Sequence, residues 1–339
     1  MRRRLALSVA ALAAAIACAG RGPEPRPAWL DHLSAAPRPT PGRNWPLPPS
    51  QAEWLLAEGK GEVRDEHPTP SGVTGAQRFS VRFPAIGRTI DLKWKAAPPG
   101  NADGWNNAPR KELAAYAVQK WFLEPDEYVV PTTVCRCVRL STYRHFDPKA
   151  KPTLPGTSCV FGAEALWLQD VEIPAQLYDE ARFQSDAAYA RHFANFNILA
   201  YLIDDRDTRA DNVLASKDQD NRFVFSVDNG IAFDPLIYNY FVNDWKDIEV
   251  PALPRASIAR LRKLDPKQIE ELAVLTEFKA DRSGFLRPAR PGPPIDPARG
   301  TRFRDGVLQL GLTDREIAHL RERVAALLRE VDERKIPLF

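Results

Sequence analysis

Residues 197–235 read "NILAYLIDDRDTRADNVLASKDQDNRFVFSVDNGIAFDP" and set eight carboxylates between and just after two strongly apolar runs. A chain of this kind must bury both runs and still keep the acidic segment between them in a polar setting. The segment is either a solvated turn or a set of carboxylates held around cations, and spacing has to decide. Asn212 follows Asp207 by five positions, "NVL" reads as a short apolar strand, and Asp228 closes "RFVFSVD" just before Asn229-Gly230. A calcium loop does not fit: neither Asp205 nor Asp218 opens a segment with Gly at position six and Glu at position twelve.

Phosphoryl transfer to a hydroxyl needs what this order supplies. One carboxylate serves the acceptor hydroxyl, and an amide and a second carboxylate serve the metal ions beside the phosphates. The strings "DRDTRADN" and "DNG" follow the kinase pattern H-R-D-x-x-x-x-N and then D-F-G. On that pattern Asp207 is the catalytic carboxylate, and Asn212 and Asp228 hold metal. A kinase site also takes a lysine from a strand of the small lobe and a glutamate from the next helix. "TIDLKWK" offers Lys93 and Lys95 on one strand face, with Lys95 preferred because it closes the apolar segment. "RKELAAY" offers Glu112. Gly72 and Gly75 in "PSGVTGAQRF" are candidates for a phosphate-cradling turn. Arg209, two after Asp207, is a candidate cation for the transferred phosphate.

The opening stretch, with "WK", "KELAAYAV" and "VVP" upstream, resembles the atypical kinases of the secretory pathway (the Golgi kinases) and the HipA-type bacterial kinases. The resemblance spans roughly 68–245 and is specific over 195–235. It implies an α+β, two-lobed protein-kinase-like fold, with a small β-rich lobe at 51–168 and a larger helical lobe at 169–339. It also implies ATP or another nucleoside triphosphate as donor, Mg²⁺ or Mn²⁺ as metal, and a hydroxyl-bearing acceptor. The families' Asp-Arg-His is Asp207-Thr208-Arg209 here, and no A-P-E segment follows Asp228. Two other readings stay open: an inactive kinase-like binding module, and a non-enzymatic envelope lipoprotein whose acidic turn is structural.

The chain begins "MRRRLALSVAALAAAIACAG", a basic start followed by a short apolar stretch, which reads as a signal peptide over 1–17. "AIAC" resembles a bacterial lipobox and makes Cys18 the expected lipid anchor. Nine prolines between Pro23 and Pro49 suggest an extended tether over 18–50. The expected location is therefore outside a bacterial cytoplasm, in the cell envelope. ATP is scarce there, so either the donor is unusual, the protein acts elsewhere, or it is a kinase-like protein without transfer. The formal charge of +3 comes entirely from Arg2, Arg3 and Arg4, and the balanced remainder excludes a general electrostatic case for nucleic acid. An exported chain permits a disulfide, and Cys159 is expected to pair with Cys137 in preference to Cys135. "CRC" lacks the spacing of a zinc site.

Local patterning predicts a helix in "PSQAEWLLAEGK", then two strands joined by "AIG", a helix in "APRKELAAYAVQKWFL", and two further strands ending near 170. Helices are predicted over "SDAAYARHFANFNILAYLI", from Pro266 through "PKQIEELAVLTEF", and in the closing "TDREIAHLRERVAALLREVDERK", which opens with Thr313 and Glu316 as a capping box. The stretch 281–306, rich in Pro and Arg, reads as a loop.

Overall fold

The computed structural model describes residues 27–35, 44–69, 75–101, 103–104, 107–208, 210–218, 223–233 and 245–339. The expected signal peptide, Cys18, Gly72 and Arg209 lie outside them. Helices α1 (Ala28–Ala35) and α2 (Pro49–Glu58) precede strands β1 (Glu62–Pro68), β2 (Gln77–Phe83) and β3 (Arg88–Ala96). Helix α3 (Pro109–Gln119), β4 (Thr133–Arg139), the short α4 (Leu140–Tyr143) and β5 (Cys159–Leu166) complete a lobe whose antiparallel sheet runs β1-β2-β3-β5-β4. The helical part follows with β6 (Val171–Glu172), α5 (Glu180–Ser185), α6 (Ala187–Leu202), β7 (Val213–Ser216), β8 (Val224–Ser226), α7 (Arg255–Leu261) and α8 (Pro266–Glu270). Strands β9 (Thr276–Ala280), β10 (Leu286–Ala289), β11 (Thr301–Arg304) and β12 (Val307–Leu310) and helix α9 (Asp314–Asp332) close the chain. The expected α+β, two-lobed arrangement is present. Among the described residues no helix is long and apolar enough to cross a membrane.

Period-two alternation gives the five-stranded sheet two different faces. Phe79, Val81 and Phe83 of β2 and Ile90, Leu92 and Trp94 of β3 pack with Leu55 and Leu56 of α2. Asp91, Lys93 and Lys95 therefore point the other way, toward the cleft. Helix α6 is buried on nearly every side, so its apolar run forms the centre of the helical lobe. Its first turn is fixed by Asp186, which accepts from the Tyr189 N–H. Three of the last helix's features match its sequence pattern: the Thr313–Glu316 capping box, the start at Asp314, and the buried stripe Leu320, Val324, Leu327 and Val331.

Three stretches differ from the expectation. Part of the proline-rich tether is folded: α1 buries Leu30 and Leu33 in the helical-lobe core, each worth about 2 kcal/mol. Asn44 likewise donates to the carbonyls of Gln169 and Asp170. The 281–306 loop instead holds β10 and β11, within a four-stranded sheet ordered β10-β9-β12-β11. The helix from Pro266 stops at Glu270, and Thr276–Ala280 becomes the strand β9 between β10 and β12. Long-range pairing overrides helical spacing there.

Cys137 and Cys159 form the disulfide, joining β4 to β5 with Cα atoms 5.6 Å apart. Closing a loop of 22 residues contributes about 3 kcal/mol on the chain-entropy account. Cys135 remains a thiol, and burial pushes it up to about 12.

Candidate active site

The cleft is a cavity of about 640 Å³ between the cleft face of the sheet and the β7–β8 hairpin. Its wall includes Arg78, Lys93, Lys95, Glu112, Asn212 and Asp228. Lys95, only 2% exposed, projects from β3. Its Nζ lies 2.5 Å from Asp228 Oδ1 and 3.5 Å from Glu112 Oε1. Glu112 reaches it from the first turn of α3, and its Oε2 also accepts the Asn229 N–H at 3.0 Å. One ammonium thus ties the sheet, helix α3 and the end of β8 together.

Burial alone would lower the Lys95 pKa, but Glu112 and Asp228 raise it above the usual lysine value. Burial works against Asp228 too, yet Lys93 and Lys95 hold its carboxyl down to about 2. Glu112 moves the other way: burial raises it, with the nearby Asp228 adding to the effect. Asp228 therefore keeps its charge when Glu112 begins to take a proton. The Asp228 backbone sits at φ +64°, a left-handed conformation disfavoured for a residue with a Cβ, so strain of about 1 kcal/mol is stored at this turn.

Two further pieces hold the other wall. Asn212 Nδ2 donates to the Asp207 carbonyl at 2.8 Å, and the Asn212 carbonyl accepts from Val227 N–H at 3.0 Å. The turn after α6 is thereby pinned to the residue that joins β8 to Asp228. Gln119 of α3 clamps the loop before β4: its Oε1 accepts from the N–H groups of Val129 and Val130, both at 2.8 Å. Val130 and Pro131 then line the cavity.

The structure thus brings Lys95, Glu112 and Asp228 into contact and sets Asn212 in the same cavity. Asp207 lies beside that wall and is 2% exposed. Gly75 is exposed at φ +72°, a conformation suited to glycine, one residue before Ala76 at the cavity edge. Asn212 and Asp228 offer hard oxygen donors, which suit Mg²⁺ or Mn²⁺. Among the described residues no three acidic, His or Cys side chains cluster as a self-sufficient metal cage. Such a donor set fits an ion that completes its shell with ligand phosphates and water.

Comparisons with known proteins give fold likenesses alone. No family model matches the chain, and no curated protein matches it. Among solved structures, a hydra Fam20 protein with sugar is 14% identical, with a TM-score of 0.48, over 82% of this chain and 87% of that one. A Golgi casein kinase is 13% identical, with a TM-score of 0.48, over 84% and 76%. A Golgi casein kinase with Mn/ADP bound is 14% identical, with a TM-score of 0.47, over 84% and 75%.

Sequence reasoning missed Asp205. Its buried Oδ1 accepts the Asp207 N–H at 3.1 Å and so braces the turn from beneath. No motif flags it, because the bond goes to main chain. Burial, reinforced by the charges of Asp207, Glu112 and Asp228, pushes Asp205 up to about 7. In the unfolded chain it ionises near pH 4, so between about pH 4 and 7 the folded state binds a proton the unfolded state has lost. That contribution to stability fades as pH rises through the window. Asp205→Asn keeps the acceptor and cannot ionise. Its stability relative to wild type should grow by about 3–4 kcal/mol from pH 4 to 7 and level off above that. Urea unfolding across that range checks it, and a gap that ignores pH removes the assignment.

Proposed function

We propose that the chain is a kinase-like phosphotransferase that binds a nucleoside triphosphate with Mg²⁺ or Mn²⁺ in the cleft and moves its γ-phosphate to a hydroxyl acceptor. The observation that carries this reading is the Lys95 ammonium bridging Glu112 and Asp228 on the cavity wall. A buried lysine could be neutralised by one carboxylate. A second, drawn from another lobe and set at the end of a strand, leaves an acidic oxygen donor facing a cavity of nucleotide size.

On this reading Lys95 and Glu112 fix the geometry of the phosphate end of the cleft, and Asn212 and Asp228 are the residues that would hold the metal. The bound ion would supply positive charge to the phosphate oxygens. Asp207 would orient the acceptor hydroxyl and take its proton. The acceptor oxygen bonds to the γ-phosphorus, the bond to the β–γ bridging oxygen breaks, and the nucleoside diphosphate leaves. Export and lipidation at Cys18 would place this activity in the cell envelope. A second reading, a nucleotide-binding module without transfer, is favoured by one observation: Asp207 is almost fully buried.

Titration calorimetry with ATP and GTP, each with Mg²⁺ or Mn²⁺, tests the proposal. Metal-dependent binding is the expected result. No binding of either nucleotide with either metal overturns both readings. Binding without transfer to protein, sugar or lipid acceptors leaves the binding module.

A further inference from the structure

The structure gives the two lysines of β3 different surroundings. Lys95 is enclosed, with Glu112 and Asp228 both within ion-pair distance. Lys93, two residues earlier on the same face, also lines the cavity, and its side chain is 22% exposed. The carboxylate oxygen nearest to it is Asp228 Oδ1 at 3.9 Å, the oxygen that Lys95 already holds at 2.5 Å. Arg78 stands directly opposite Lys93 in the β2–β3 register and lines the same cavity. Like charges directly opposite on a sheet repel. Arg78 is compensated by Asp91, whose Oδ2 accepts from both Nε and Nη2, and its guanidinium lies 5.0 Å from the Trp167 ring. Among the described residues Lys93 has no comparably close counter-charge, and it lines the cavity.

We infer that Lys93 is the cation that meets the ligand's phosphate chain, while Lys95 holds the site together. This rests on the nucleotide-binding reading and deepens it by splitting two jobs between two lysines. An anion in the cavity would relieve the repulsion among Arg78, Lys93 and Lys95. The more phosphates it carries, the more it gains from the flexible Lys93 ammonium at the cavity wall. Lys93 would accordingly set discrimination between nucleoside triphosphates and monophosphates, including in the absence of metal.

The experiment compares wild type, Lys93→Met, Lys93→Arg and Lys95→Met, using calorimetry with ATP, AMP and inorganic tripolyphosphate in EDTA and in Mg²⁺. Lys93→Met should weaken ATP and tripolyphosphate binding by about tenfold or more and AMP binding by less than about twofold, with Lys93→Arg close to wild type. The thermal midpoint of Lys93→Met should stay close to that of wild type, because the variant loses the repulsion from Arg78 together with the 3.9 Å attraction to Asp228. Lys95→Met should lower it. Equal losses for ATP and AMP, or an unchanged ATP affinity in Lys93→Met, overturn the inference while leaving the nucleotide reading standing. A wild type that binds none of the three probes under either condition removes both.

Discussion

Asp207→Ala should lower phosphoryl transfer by about 1000-fold while nucleotide affinity stays within about threefold of wild type. The reason lies in which atoms of Asp207 the fold uses. Its N–H donates to Asp205 and its carbonyl accepts from Asn212, so main-chain atoms carry these bonds of the turn. Removing the carboxylate leaves those bonds in place and takes away the group assigned to the acceptor hydroxyl. Asp228→Ala should act on binding first and lower transfer with it. It removes an oxygen donor from the phosphate end and leaves Lys93 without the carboxylate it now shares. Nucleotide affinity should then stop responding to Mg²⁺ or Mn²⁺. Parallel calorimetry and radiolabelled transfer assays separate the two. If Asp207→Ala transfers as well as wild type, Asp207 is not the catalytic carboxylate.

How much of this site was legible in the sequence depends on whether a residue acts through its type or through a long-range contact. Asp228 and Asn212 could be read because a carboxylate after an apolar strand and an amide after an apolar helix sit at turns whose positions the hydrophobic pattern fixes. Strand alternation puts Lys93 and Lys95 on one face, with Lys95 preferred because it closes the apolar segment, and Glu112 is read from its place near the start of the next helix. Asp205 is not singled out although its bond is local: an Asx-type turn of this kind is common and marks no particular chemistry. The unequal settings of Lys93 and Lys95 could not be read, since they depend on Arg78 lying opposite in the sheet register.

The fold shows the same division. The β2–β3 hairpin, α3, α6 and α9 follow local signals. The β9–β12 sheet does not, because its strands are four or five residues long and carry several arginines and Pro288. Arg302 shows why such a segment can still be buried. Its guanidinium donates to the carbonyls of Asp296, Ala273 and Leu312, turning a charged strand residue into a buried crosslink. The sheet's inner side chains Phe278, Leu286, Leu308 and Leu310 pack against Cys135, Phe161 and Ala163. Those partners lie far earlier in the chain, and no local window contains them.

That C-terminal region also bears on the cleft through Arg110, the second residue of α3. A cation at a helix N-terminus is unfavourable, so something must hold it. Glu316 of α9 does so in two-pronged fashion, at 2.8 and 3.0 Å, and Asp103 accepts from Nε at 2.8 Å. Gly300 packs on the guanidinium, where a Cβ would come within 2.3 Å of Nε. Arg110 and Glu316 are both buried, and removing one partner leaves an uncompensated charge inside the protein. Arg110→Met should therefore destabilise the fold by about 3–5 kcal/mol in urea unfolding. Adding Glu316→Gln should recover part of that loss, because the stranded charge is gone. Glu112 lies two residues beyond Arg110 on α3, so Arg110→Met should also weaken nucleotide binding at temperatures where the variant is still folded. If the double variant is no more stable than Arg110→Met, the pair contributes through packing and not through charge.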